Sequence, residues 1–136
     1  MDIAEAVAFI ADHHRAVLAT TRADGSTQMA PVAAAVDSAG RVLVSTRATA
    51  YKTAHVRRTG RAALLVMNDG FFGQWVQVEG PVAVVELPEA LDVLVDYYRR
   101  VSGEHPDWDD YRQAMVAEQR VVLRMTVDRA GPNRAG

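Results

Sequence analysis

Gln74-Trp75-Val76-Gln77-Val78-Glu79-Gly80-Pro81-Val82-Ala83-Val84-Val85 is the stretch whose reading decides the fold. Polar and apolar residues alternate along it with the two-residue period of a half-buried strand. The run is longer than most strands, and Gly80-Pro81 in its middle removes a side chain and a backbone donor. That pair marks a bulge or bend within one strand. Upstream, 61–67 reads as a strand ending at an Asn68-Asp69-Gly70 turn. Two more β-rich stretches, 15–22 and 27–36, flank Asp24-Gly25, a strong hairpin signal. The Ala33-Ala34-Ala35 run predicts burial on both faces or close backbone approach. Ser38-Ala39-Gly40 then turns the chain into a strand over 41–46, and a last strand covers 121–127.

Helices fall between these strands. Ile3, Ala6, Val7, Phe9 and Ile10 recur at helical spacing within 2–13. A helix over 50–58 is predicted with Thr49 as its N-cap and Gly60 just beyond its end. Two more cover 88–101, opened by Pro88, and 107–118, with Asp109 and Asp110 in its first turn. Hairpin-joined strands with helices inserted predict a mainly β (α+β) domain over residues 1–128. The expected form is a six-stranded antiparallel Greek-key barrel with flanking helices. Residues 129–136 read as a loose C-terminal tail.

Composition narrows the function classes. The chain has 136 residues, 49% hydrophobic and 24% charged, with a net charge of −2. These values fit one globular domain and argue against a coat for nucleic acid or an anionic membrane. There is no cysteine, which excludes disulfides, thiolate metal sites and a cysteine nucleophile. The acidic start Met1-Asp2-Ile3-Ala4-Glu5 is unlike a signal peptide, and no apolar run reaches membrane-spanning length. The expectation is a cytoplasmic protein.

Charge is unevenly placed. From Asp37 to Asp69 no acidic residue intervenes, yet Arg41, Arg47, Lys52, Arg57, Arg58 and Arg61 all lie there. Lys52 is the only lysine among 15 basic residues and falls in the predicted first turn of the 50–58 helix. A cation there opposes the helix dipole unless an anion joins it, so the pattern points to a bound phosphate or carboxylate. A solvated surface lysine remains the competing reading. Arg57 and Arg58, in the last turn of that helix, suit its dipole.

No nucleophile elbow, zincin motif, phosphate-binding Walker loop or dinucleotide fingerprint is present. His13 and His14 end the first helix, His55 sits in the basic helix and His105 in a loop, which does not make a histidine cluster. Glu104, Asp107, Asp109 and Asp110 are accounted for by helix capping, and no metal site is expected. Without an acid, base and nucleophile set, an enzymatic activity would draw its reactive group from a cofactor. Phe71, Phe72 and Trp75 can stack on a flat ring system or serve ordinary core or interface packing.

Several motifs together resemble a known family. Asp24-Gly25-x-x-Gln28, Val44-Ser45-Thr46-Arg47 running into Tyr51-Lys52-Thr53, Arg57-Arg58-x-x-Arg61-Ala62 and Val78-Glu79-Gly80 resemble the flavin/deazaflavin split β-barrel superfamily. This is the group that contains pyridoxamine-phosphate oxidase. The block from Tyr98 to Met115, with Gly103-Glu104-His105-Pro106-Asp107-Trp108 at its centre, resembles the actinobacterial deazaflavin (F420)-dependent reductases of the B group.

The resemblance implies an FMN-binding type of split barrel and a homodimer with two cofactor sites at the subunit interface. It implies hydride transfer from reduced coenzyme F420 to a small, electron-poor conjugated substrate such as an enone, quinone or tetrapyrrole. By resemblance, Lys52 grips the cofactor phosphate, and Ser45, Thr46 and Arg47 lead into it. Gln28 and Met29 flank the ring, while Trp75 or Phe71 reaches toward the other subunit's cofactor. Ala50 stands where close relatives often carry arginine, which leaves flavin mononucleotide as an alternative cofactor. A non-catalytic cofactor or haem carrier is the other alternative. Tyr51 completes the cofactor-binding segment; with His55 it is the nearest titratable side chain, and neither is assigned as a proton donor.

Overall fold

The computed structural model describes residues 1–131. Among them the order is α1 (Ile3–Asp12), β1 (Arg15–Thr21), β2 (Thr27–Ala33), β3 (Ala35–Val36), β4 (Val42–Arg47), α2 (Tyr51–Thr59), β5 (Arg61–Met67) and β6 (Trp75–Val85), followed by α3 (Ala90–Ser102), α4 (Trp108–Ala117), β7 (Arg120–Met125) and β8 (Arg129–Ala130). Every strand pair is antiparallel. One sheet runs β2-β1-β5-β6-β7-β4-β3, with β8 added beside β6. Its two end strands are separated in the chain by Ala34 alone, so the sheet curls until both edges belong to one stretch of backbone.

The mainly antiparallel class matches the sequence expectation, but the strand number does not. Eight strands replace the expected six for two reasons. The 27–36 stretch breaks at Ala34, whose N–H bonds the His14 carbonyl at 2.9 Å. The His14 ring donates from Nδ1 to the Ala34 carbonyl at 2.7 Å. These bonds take Ala34 out of the ladder. In addition, Arg129 and Ala130, read as part of a loose tail, pair with Glu79 and Val78. The segment 132–136 of that tail lies outside the described residues.

β6 makes the curl possible. Trp75 to Pro81 pairs with β5, and Val82 to Val85 pairs with β7, so Gly80-Pro81 is where the strand changes partner. After β7 the chain stays beside β6, with Thr126 N–H on the Pro81 carbonyl and Asp128 N–H on the Glu79 carbonyl, both at 3.0 Å. A Cβ at Gly80 would run into the Thr126 carbonyl, which explains the glycine.

Alternation decides what each strand buries. Leu18, Val42, Val44, Leu64, Val66 and Val76 point into the barrel, joined by Ala6 and Ile10 of α1. The opposite face of β4 and β7 presents Leu43 and Val122 to Ala90, Leu94 and Tyr111 of α3 and α4. The outward residues of β1 and β5 have no such helical cover, and they remain partly exposed or exposed.

Candidate functional site

Four of the six cations in the acid-free basic segment pair with carboxylates from outside it. Arg41 pairs with Asp37 at 2.9 Å, Arg57 with Glu86 at 2.5 Å and Arg61 with Asp128 at 2.8 Å. Arg47 reaches Glu118 at 3.6 Å. Arg58 donates to the Thr21 carbonyl. Among the described residues, Lys52 alone of these six meets no carboxylate or other protein acceptor. It is half-buried in the first turn of α2.

The local backbone fits this reading. Thr49 is not the N-cap. Ala50 takes that place with extended dihedrals (φ −67°, ψ 148°) and has no side-chain oxygen to offer. Thr53 N–H and Ala54 N–H bond the Ala50 carbonyl. The Tyr51 and Lys52 N–H groups, at the very start of the helix, meet no acceptor among the described residues. An uncapped helix start beside an ammonium offers the kind of donors that a phosphate-sized anion accepts from. The far end is closed by Gly60 in the left-handed region at φ 70°.

α2 is held to the barrel largely by polar bonds, since only Thr53 and Val56 of its residues are buried. Thr53 Oγ1 donates to the Arg47 carbonyl at 2.7 Å. Arg57 donates to the Ala48 carbonyl at 3.1 Å. The His55 Nδ1 and Thr20 Oγ1 atoms lie 3.0 Å apart in a hydrogen bond. Thr20 is a buried polar residue of β1 whose cross-strand partner is Gln28.

A second region lies on the uncovered outer face of β1, β5 and β6. An open cavity of about 710 Å³ is lined there by Met29, Phe71, Trp75 and Gln77 over a floor of Val17, Ala19, Ala63, Leu65 and Met67. This volume is within the range of small-molecule sites. Its lining contains no charged side chain. Met29 and Phe71 are 70% and 80% exposed, so neither is core in the single chain. Phe72 packs edge-on against Phe71 at 4.9 Å and is exposed with it.

The structure therefore brings the expected residues together in two groups. Met29, Phe71 and Trp75 share the apolar cavity. Thr46, Arg47, Ala50, Tyr51 and Lys52 share the junction from β4 into α2. Lys52 does not line the cavity. Gln28 faces the barrel interior, because it opposes Thr20 across the β1–β2 ladder while its neighbour Met29 opposes Ala19. The Gln28 Oε1 and Thr46 Oγ1 atoms are both buried without a hydrogen-bond partner. Ser45 shares a face with Val122, its partner in the ladder, and so turns toward α3 and α4. Tyr51 is 77% exposed beside Lys52.

Sequence reasoning missed the cavity floor and the Thr20–His55 link. The floor left one signal: outward positions of β1 and β5 are as apolar as the inward ones, which a strand facing water on one side does not need. The link left none, because the two residues lie 35 positions apart.

The Tyr98 to Met115 block is a packed hairpin of helices. Tyr98, His105, Trp108 and Tyr111 form a ring cluster with centroids 5.0–5.7 Å apart. Arg99 lies over the Trp108 ring at 4.7 Å. Glu104 accepts from Trp108 Nε1 at 3.1 Å, and Asp107 caps α4 by accepting the Asp110 N–H at 3.0 Å. His105 Nδ1 accepts the Asp107 N–H at 2.9 Å. Tyr111 donates to the Leu94 carbonyl at 3.0 Å, and burial pushes its phenol up to about 12. Tyr97 donates to the Ala33 carbonyl at 2.9 Å, and burial raises its phenol as well.

Among the described residues no helix is long and apolar enough to cross a membrane.

Comparison with known proteins agrees with this fold. A family model described as pyridoxamine 5′-phosphate oxidase matches residues 3–133. The solved structure of Rv2991, a conserved hypothetical protein from Mycobacterium tuberculosis, is similar at a TM-score of 0.77 and 28% identity, over 96% of this chain and 82% of its own. An F420 reductase structure is similar at a TM-score of 0.67 and 18% identity, covering 87% of this chain and 89% of that one. A NimC/NimA family protein from Clostridium acetobutylicum gives a TM-score of 0.64 and 19% identity, with 91% and 81% covered. At these identities the last two establish a common fold.

Proposed function

The chain belongs to the pyridoxamine 5′-phosphate oxidase family, and from that premise we propose that it is an oxidoreductase that binds coenzyme F420. Its substrate would be a small electron-poor conjugated molecule of the enone, quinone or tetrapyrrole type. The working unit would be a homodimer with two cofactor sites at the subunit interface. The observation that carries this reading is Lys52, which has no partner among the described residues at an uncapped helix start while the other five cations of its segment have partners.

When bound, the reduced deazaflavin supplies a hydride; the protein's part is to hold and orient. Lys52 and the Tyr51 and Lys52 N–H groups would take the phosphate by charge-assisted hydrogen bonds. Met29, Trp75 and Phe71 offer apolar surface to the ring and keep water from it. In a single chain the cavity and Lys52 stand apart, which fits a site completed across two subunits. No residue is assigned as a proton donor; the proton would come from solvent.

Flavin mononucleotide is a second reading with its own support. Arg47 lies 3.6 Å from Glu118 and Ala50 adds no cation, so among the described residues Lys52 is the basic side chain of the junction without a partner. That suffices for a single phosphate and commits nothing to a longer anionic tail.

The test is a titration of F420 followed by its fluorescence, with FMN in parallel. Lys52→Ala is expected to weaken the preferred cofactor by about 1.5–3 kcal/mol. Unchanged affinity would remove the phosphate assignment. Protein that purifies yellow with flavin absorbance would overturn the preference for F420. Failure of the bound, reduced cofactor to be oxidised by a panel of enones, quinones and tetrapyrroles would leave only a carrier.

A further inference from the structure

We propose that His55, through its hydrogen bond to Thr20, is a positioning residue that fixes the Lys52 helix relative to the strand carrying Met29. The inference rests on the phosphate reading of Lys52 given above. It concerns how the two separate regions of the site are kept in register.

Lys52 rides on α2, and Met29 rides on β2. The elements are joined indirectly, and the path is short. His55 lies one turn beyond Lys52 on the same helix. Its Nδ1 meets Thr20 Oγ1 at 3.0 Å. Thr20 opposes Gln28 in the β1–β2 ladder, and Met29 is the next residue along β2.

Apart from that of Arg58, the other polar tethers of α2 end away from β1. Thr53 and Arg57 bond carbonyls of Arg47 and Ala48, next to the helix's own start. Arg57 also pairs with Glu86, beyond β6. Arg58 reaches the Thr21 carbonyl at the end of β1, from an exposed side chain. Among the described residues, only the His55 tether ends on a buried side chain inside the barrel; Thr20 is 2% exposed. The bond is part-buried, and a sheltered bond exchanges with water less than exposed ones such as those of Arg57 and Arg58.

Apart from these polar tethers, the apolar anchor of the helix is narrow. It is nine residues long and buries only Thr53 and Val56. A short helix with so narrow a buried stripe gains most of its orientation from specific contacts. Removing the Thr20 bond would take away the one tether that ends on a barrel side chain among the described residues, and with it a constraint on how α2 presents Lys52.

The decisive readout is the affinity advantage of a phosphorylated cofactor over its phosphate-free form. FMN is compared with riboflavin, and F420 with its deazaflavin nucleoside. A residue that merely stabilises the fold would weaken both forms alike. His55→Ala and Thr20→Val should each reduce the phosphate advantage about five- to tenfold while leaving the phosphate-free form near wild type. His55→Asn, whose amide can still reach the Thr20 hydroxyl, should restore most of the advantage. The idea fails if His55→Ala leaves the advantage intact, if it weakens both forms equally, or if Asn gives no rescue. Should Lys52→Ala leave the advantage unchanged, the phosphate reading falls first and this inference falls with it. A loss in Lys52→Ala without one in His55→Ala overturns the positioning role alone.

Discussion

Two outer faces of one curled sheet have similar strand chemistry and opposite fates. The face of β4 and β7 presents Leu43 and Val122, and α3 and α4 seal it with Leu94, Tyr111 and the ring cluster around Trp108. The face of β1 and β5 presents Val17, Ala19, Ala63, Leu65 and Met67, and none of these helices covers it. A chain that can seal an apolar face and leaves another open has a use for the second one. Large open apolar surface flanked by exposed aromatics marks a place where something else binds. In the proposed function, that face is shared between the cofactor ring and a second copy of the chain.

The largest expected effect breaks the sealed face. Leu94 is fully buried between the helices and the sheet. Leu94→Ala removes its packing and leaves a cavity, with an expected loss of about 3 kcal/mol in folding stability by denaturant titration. A loss below ~1 kcal/mol would mean that α3 and α4 rest loosely on the sheet. The contrast between the two faces would then be one of degree.

A smaller effect reads the same face through pH. The Tyr111 phenol is raised to about 12 by burial, against an ordinary value near 10. The unfolded chain therefore loses its phenol proton first as pH rises. Stability from this group is intact below pH ~10 and is lost as pH climbs toward 12. Tyr111→Phe should flatten that alkaline decline, measured as the unfolding midpoint against pH. An identical decline in the variant would place its cause elsewhere.

How far the sequence showed this contrast depends on the region. The hairpin at Asp24-Gly25, the bend at Gly80-Pro81 and the Gly60 terminus are local chemistry, and all three stand in the structure. Lys52 was visible as a compositional oddity because charge is legible without coordinates. Its lack of a partner was not, since Asp128, Glu86 and Glu118 reach the neighbouring arginines from distant parts of the chain. The Tyr98 to Met115 block carried the most specific resemblance, and its side chains pack against one another or cap helices. Such a motif can identify a lineage through its packing and still hold no reactive group. Thr49 was misread as the cap because residue preference cannot register a one-residue shift of a helix start. β8 was missed because two residues leave no periodicity.

The smallest effect on the single chain should be at the bare face, and there the prediction has two sides. Phe71 is 80% exposed, so Phe71→Asp removes almost no burial from one folded copy. Its unfolding midpoint at high dilution should stay within ~0.5 kcal/mol of wild type. If a second copy covers this face, the wild-type midpoint must rise with protein concentration, because association stabilises the folded state by mass action. The same charge placed between two apolar faces would then be costly, and Phe71→Asp should abolish the concentration dependence. Sedimentation of both proteins over a concentration series checks this directly. A wild-type protein that sediments as one chain throughout, with a constant midpoint, would show that the bare face has no second copy on it. The cavity would then have to hold its ligand alone, and Lys52, which does not line it, would need another route to the same cofactor.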